Sequence, residues 1–113
     1  MGIDLEEARR EIRETDRLMA ELFQKRLETV RSVAAYKKER GLPVLDKEQE
    51  KRVLELNTSY ITDEVLRQYY LVFMKNTMAV SRQYQQDLIR GEVPGLEGVP
   101  RKAEDCRRED LKL

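Results

Sequence analysis

The chain has 113 residues, enough for one domain, and 40% of them are hydrophobic. Its 22 basic and 22 acidic side chains cancel, so no net charge favours a nucleic acid or an anionic membrane as partner. The lack of histidine and the single cysteine exclude His/Cys metal sites, Cys-His catalysis and acid–base catalysis by histidine, and we expect no metal site.

The first predicted helix runs from Leu5 to Arg40, with Asp4 as its N-cap and Gly41 after its last turn. At ~1.5 Å per residue it would be ~54 Å long, whereas a compact domain of this size has a radius of gyration near ~13 Å. Apolar residues recur on one face at steps of three and four residues: Leu5, Ala8, Ile12, Met19, Leu22, Phe23, Leu27, Val30, Val33 and Ala34. We therefore expect a second copy of the chain to cover this helix.

Two shorter helices follow. The second begins at Asp46, where residues 46–49 have the capping-box pattern, and fades at residues 57–59. The third begins at residues 62–64 and ends at Gly91. Its predicted apolar stripe comprises Val65, Leu66, Tyr69, Tyr70, Phe73, Thr77, Val80, Tyr84 and Leu88. No strand pattern is present, so the sequence predicts an all-α fold of a long, a short and a medium-long helix in an intertwined homodimer.

Residues 1–90 form the predicted helical domain, and residues 91–113 form a linker and a charged tail. The segment 91–100 is rich in glycine and proline, which is typical of a linker. The last residues are too polar to form a core, so we expect a flexible tail, a frayed helix or the start of a truncated fusion partner. Cys106 cannot form an internal disulfide, and no apolar leader or run of ~18 apolar residues is present. We expect a cytoplasmic protein that does not enter a membrane.

Two cations interrupt the apolar face of the first helix. Arg26 and Lys37 are eleven residues apart, which places them within ~20° of the same azimuth and ~16.5 Å apart along the axis. Either cation alone could lie at the edge of the apolar stripe and extend its charged end into solvent. A cation buried in the stripe is costly unless it is paired with an anion. Together they indicate a small anionic ligand. Arg9 lies ~25 Å from Arg26, so it is either an exposed arginine or a member of the same site across an antiparallel dimer.

The two shorter helices each carry a pair of polar residues in i,i+4 spacing, which places both members on one side of a helix. The pairs are Asp46 with Glu50 and Ser81 with Gln85. Each residue also has a simpler explanation. Asp46 could be a helix cap and Glu50 a surface acid, and Ser81 and Gln85 could form hydrogen bonds between helices. Combined with the cations, they would form a mostly cationic pocket suited to a small dianion with hydroxyl groups. A reaction that needs only preorganisation and charge stabilisation could proceed there.

Four stretches of the chain carry a resemblance to a known family: Arg9–Ile12 with Asp16, Lys25–Lys37, Pro43–Asp46 with Glu50, and Ser81–Gln85. In this order and spacing they resemble the all-helical chorismate mutases, over residues 5–88. The resemblance implies a homodimer that rearranges chorismate to prephenate, a Claisen-type step toward phenylalanine and tyrosine, without a cofactor. The alternatives are an isochorismate-pyruvate lyase, which shares this fold, and a non-catalytic dimerisation or regulatory module.

The resemblance implies that three residues are catalytic. Arg26 would pair with a substrate carboxylate. Lys37 would bind a carboxylate and the ether oxygen of chorismate, and Gln85 would donate a hydrogen bond to the same oxygen. Arg9 of the partner subunit would reach a carboxylate from across the dimer.

The remaining residues implied by the resemblance bind the substrate. Asp46, through its backbone, and Glu50 would hold the ring hydroxyl, and Ser81 would help to bind a carboxylate. Many family members carry an arginine at the position of Gln49, where it helps to bind a carboxylate. Gln49 can donate a hydrogen bond but carries no charge, so substrate binding from the second helix is expected to differ.

Overall fold

The computed structural model describes residues 2–101, which form three helices: α1 (Leu5–Arg40), α2 (Lys47–Ser59) and α3 (Glu64–Arg90). This part of the chain contains no strand, and the predicted all-α fold with a long, a short and a medium-long helix is confirmed. The charged tail from residue 102 onward, with Cys106, lies outside the described residues. No helix within residues 2–101 is long and apolar enough to cross a membrane.

The helix boundaries follow from their caps. Asp4, Asp46 and Asp63 precede the three helices, and their carboxylates accept hydrogen bonds from the first turn: two backbone amides each for Asp4 and Asp63, and that of Gln49 for Asp46. Gly41 (φ 64°) and Gly91 (φ 74°) follow α1 and α3 in the left-handed conformation that glycine adopts without a Cβ penalty. The predicted ends of α1 and α3 are therefore confirmed, and α2 begins one residue after its predicted start because Asp46 is its cap.

The chain is elongated, with extents of 69 × 28 × 21 Å and a radius of gyration of 18.8 Å, against ~13 Å for a compact domain of similar length. Helix α3 contacts both α1 and α2. The N-terminal half of α1 leaves its large apolar side chains exposed: Leu5, Ile12, Met19, Leu22 and Phe23. A single chain therefore leaves uncovered much of the face that the sequence pattern marks as apolar.

The face of α3 that is buried within the chain differs from the predicted apolar stripe. The buried residues are Met74, Met78, Ser81, Gln85 and Leu88. Of these, only Leu88 belongs to the predicted stripe, whereas Val65, Tyr69 and Phe73 of that stripe are 64%, 72% and 50% exposed. Within a single chain, α1 and α2 cover the side of α3 that carries the polar residues. Burial of the predicted stripe by a second copy stays a prediction.

The segment after α3, residues 91–101, folds back onto the helices. Leu96 is buried in a small cluster with Ala34 and Leu88. The turn before it requires glycine: Gly95 has a φ of 146°, and a Cβ there would lie 2.8 Å from Cδ2 of Leu88. The part of the predicted linker that the structure describes thus contributes to the core, while the division of the chain at residue 90 stays a prediction.

Candidate active site

A cavity of about 140 Å³ lies between the C-terminal half of α1, the start of α2 and the second half of α3. Its lining contains all but one of the site residues predicted from the sequence: Arg26, Lys37, Asp46, Gln49, Glu50, Ser81 and Gln85. Valines and Met78 form its apolar part. With Arg82, three cationic and two anionic side chains line it, so the lining carries one net positive charge. Such a pocket favours a small anion.

The guanidinium of Arg26 is held in place by Ser81. Nη1 of Arg26 donates to Oγ of Ser81, and Ser81 in turn donates to the carbonyl oxygen of Thr77 at 2.9 Å. Ser81 is buried, with 5% of its surface exposed. A hydroxyl has one proton to donate, and here Thr77 receives it. Ser81 thus orients the guanidinium of Arg26, and its own proton is engaged by the backbone of α3.

Lys37 and Gln85 form the hydrogen-bonded centre of the pocket. Nζ of Lys37 donates to the carbonyl oxygen of Val44 at 2.7 Å and to Oε1 of Gln85 at 3.0 Å. An ammonium group has three N–H donors, so one remains for a ligand. Because Oε1 of Gln85 accepts from Lys37, the amide N–H groups of Gln85 are also left for a ligand. The two neighbouring side chains therefore both retain donors for a ligand in the pocket.

Burial and charge act in opposite directions on Lys37. Partial burial of the ammonium disfavours its charged form and lowers the pKa of Lys37 below its ordinary value. The negative charges of Asp46 and Glu50 oppose this effect and raise the pKa of Lys37. The cap residue Asp46 and Glu50 of α2 thus help to keep Lys37 in the protonated form, which donates hydrogen bonds and attracts anions.

The α2 side of the pocket is built from a cap and an ion pair. The carboxylate of Asp46 accepts a hydrogen bond from the backbone amide of Gln49 at 3.0 Å. The side chain of Gln49 does not complete the predicted capping box, because its Oε1 accepts from Nε and Nη2 of Arg52, each at 3.3 Å. Glu50 pairs with Arg82 of α3. Arg82 was not among the predicted site residues, since nothing in its spacing distinguishes it from an exposed helix arginine.

Arg9 is the one predicted site residue outside this pocket. It is exposed on the N-terminal half of α1, seventeen residues before Arg26, and therefore ~25 Å from it along the helix axis. The structure does not bring the two residues together within one chain, as their spacing predicts. A role for Arg9 in the pocket of a second copy stays a prediction.

Fold and pocket together define an all-α protein with a partly buried pocket whose lining carries three cations and two acids. The chain belongs to the chorismate mutase type II family, whose model matches residues 8–86. This is the all-helical chorismate mutase family, so the prediction of an isomerase that converts chorismate to prephenate is confirmed. The match extends from the first turns of α1 to just beyond Gln85 and thus includes the whole pocket. No curated protein and no solved structure matches the chain.

Proposed function

We propose that the cavity between the three helices is the active site in which chorismate rearranges to prephenate. The observation that carries this proposal is the hydrogen-bonded pair of Lys37 and Gln85, two adjacent side chains that line the cavity and retain donors for a ligand. Negative charge grows on the ether oxygen of chorismate as its C–O bond breaks. Donors placed at that oxygen bind the transition state more tightly than the ground state and so accelerate the reaction.

The other lining residues hold the substrate in the compact conformer that reacts. Arg26, fixed by Ser81, binds one carboxylate of the dianion. Glu50 accepts a hydrogen bond from the ring hydroxyl, next to the backbone of Asp46, and Gln49 donates a hydrogen bond to the substrate. Bringing the two carbons that form the new bond close together removes much of the entropic cost of the reaction. The step itself needs neither a covalent intermediate nor a proton transfer.

The activity assay follows the loss of chorismate absorbance and identifies the product. The protein is expected to form prephenate from chorismate, and Arg26→Ala is expected to lower kcat/KM by roughly 10²–10³, as for other lost charge-stabilising groups. A folded protein without a rate above background would contradict the proposed function. Formation of salicylate and pyruvate from isochorismate would instead identify a lyase.

We propose a homodimer as the active form, with Arg9 of the partner subunit completing each pocket. The exposed apolar residues on α1 and α3 support this arrangement: Leu22, Phe23 and Phe73 are 64%, 47% and 50% exposed. They line open cavities of about 450 and 400 Å³ beside the N-terminal half of α1, which are large enough for side chains of a second copy. Antiparallel pairing of two α1 helices would bring the N-terminal half of one helix close to Arg26 of the other.

Mixed dimers test the origin of Arg9. Arg9→Ala and Arg26→Ala are each expected to be nearly inactive. If Arg9 acts across the dimer, a heterodimer of the two variants contains one complete pocket, and random mixing restores about a quarter of the wild-type activity. If Arg9 acted within its own chain, mixing would restore nothing. If Arg9 had no role in the site, Arg9→Ala would be active before mixing. The cytoplasmic location expected from the sequence stays a prediction.

A further inference from the structure

The ion pair between Glu50 and Arg82 lies in the pocket and joins α2 to α3. The side chains of Arg82 and Glu50 are 31% and 24% exposed, and both line the cavity. No residue of α2 (Lys47–Ser59) is buried. The position of Glu50 therefore depends on polar contacts more than on apolar burial, and Nη1 of Arg82 provides such a contact with Oε1 of Glu50.

Glu50 presents an electrostatic problem for a pocket that binds a dianion. Its carboxylate repels the substrate carboxylates unless a cation compensates its charge, because like charges interact strongly in a partly desolvated site. The neighbouring residue on α2, Gln49, supplies no charge, and its side-chain oxygen is engaged by Arg52. Lys37 interacts with Glu50 through its charge, but its ammonium group donates hydrogen bonds to Val44 and Gln85. Arg26 donates to Ser81. Arg82 is the lining cation that contacts Glu50 directly.

We infer that Arg82 is a positioning residue of the substrate site: it holds Glu50 against α3, aims its carboxylate at the substrate hydroxyl, and cancels its charge toward the dianion. This inference rests on the proposed function. In this inference the cation that compensates the charge of Glu50 comes from α3, because the neighbour of Glu50 on α2, Gln49, is neutral. Because Arg82 acts through Glu50, its effect on ligand binding must vanish when Glu50 loses its charge.

A double-mutant cycle with Arg82→Met and Glu50→Gln tests this dependence. The measured quantity is the Kd of the full chain for a bicyclic dicarboxylic acid that mimics the transition state, determined by calorimetry. Arg82→Met is expected to weaken binding about tenfold, or about 1.4 kcal/mol, and to have less than about a twofold effect in the Glu50→Gln background. Arg82→Lys should recover part of the affinity, because it keeps the charge but loses the planar fork.

The matched control is Arg90→Met, which removes an exposed cation of α3 outside the pocket and should leave the Kd unchanged. An equal loss of affinity from Arg82→Met in both Glu50 backgrounds would mean that Arg82 touches the ligand itself, and would overturn the inference. A lower melting temperature without a coupled change in Kd would show a structural role only, and would overturn it as well.

Wild-type turnover separates this inference from the proposed function. A protein that binds the diacid with coupled effects of Arg82 and Glu50, but does not convert chorismate, would refute the function and support the inference. A protein that converts chorismate and shows additive effects would refute only the inference. Failure of the wild-type chain to bind the diacid would overturn the inference directly.

Discussion

Replacement of Gln85 by glutamate tests whether this side chain donates to the ether oxygen. The amide nitrogen of Gln85 can donate at any pH, whereas a carboxyl group can donate only when it is protonated. The new carboxyl group would lie close to Nζ of Lys37, which is 3.0 Å from Oε1 of Gln85. At an effective dielectric constant of ~20, two charges at this distance attract each other by about 5 kcal/mol before desolvation is subtracted. Lys37 thus favours the ionised form, which cannot donate.

The magnitude follows from the loss of one donor to a developing negative charge, about 2.7–4 kcal/mol, or roughly 10²–10³ in kcat. Gln85→Glu is therefore expected to lose this factor near neutral pH. It should regain activity at lower pH, by about tenfold per pH unit while most of the carboxyl group is ionised. The wild-type protein should show no such rise.

The assay is kcat for chorismate from acidic to neutral pH, with Gln85→Leu as the control. The leucine variant has no donor in either condition, so its rate should stay low throughout, and its ratio to the glutamate variant should depend on pH. A Gln85→Glu protein with the wild-type rate at neutral pH would refute the assignment of Gln85 to the ether oxygen.

Two further predictions concern charge and stability. Glu50→Gln removes a charge that raises the pKa of Lys37, so the alkaline limb of the kcat/KM profile should move to lower pH. Glu55→Gln, at an exposed position of the same helix, is the control and should not move this limb. A limb that stays in place in both variants would contradict the effect of Glu50 on Lys37. Gly95→Ala should lower the free energy of unfolding by about 1–3 kcal/mol, because of its positive φ and the close approach to its neighbours. Gly98→Ala meets no atom within 4 Å, so equal melting temperatures for the two alanine variants would show that the 91–101 segment does not stabilise the fold.

Local sequence signals sufficed for the helices because each boundary has a local cause. Asp4 and Gly41 lie immediately before and after α1, as predicted. The buried face of α3 could not be predicted in the same way. The sequence of α3 contains a stripe of bulky apolar residues, with Tyr69 and Phe73, and a second face with Ser81 and Gln85. A periodicity analysis follows the larger apolar residues and therefore selects the first of these faces. Which face the chain itself covers depends on how α1 and α2 are placed, and that is a tertiary property.

Some features of the site could be predicted from the sequence, and others required the structure. Arg26 and Lys37 were recognisable from the helix geometry alone, because charges on an apolar face are costly without an ionic partner. Gln85 was assigned to the ether oxygen by family resemblance, since a polar residue at such a position also suits an interhelical hydrogen bond. The pairing of Arg82 with Glu50 required the structure, because the two residues are 32 positions apart on different helices. Local sequence therefore predicted the charges of the site better than their mutual contacts.

The length of α1 connects the fold to the proposed chemistry. Its C-terminal half presents Arg26 and Lys37 to the pocket of its own chain, whereas its N-terminal half, with Arg9, has an exposed apolar face. A helix that began near Met19 could still form the pocket of its own chain, but without Arg9 it could not contribute to the pocket of a second chain. In the proposed dimer the same apolar contact that covers α1 also carries Arg9 to the partner's substrate. Dissociation should therefore remove a substrate ligand as well as apolar burial, so activity and dimer concentration should fall together upon dilution.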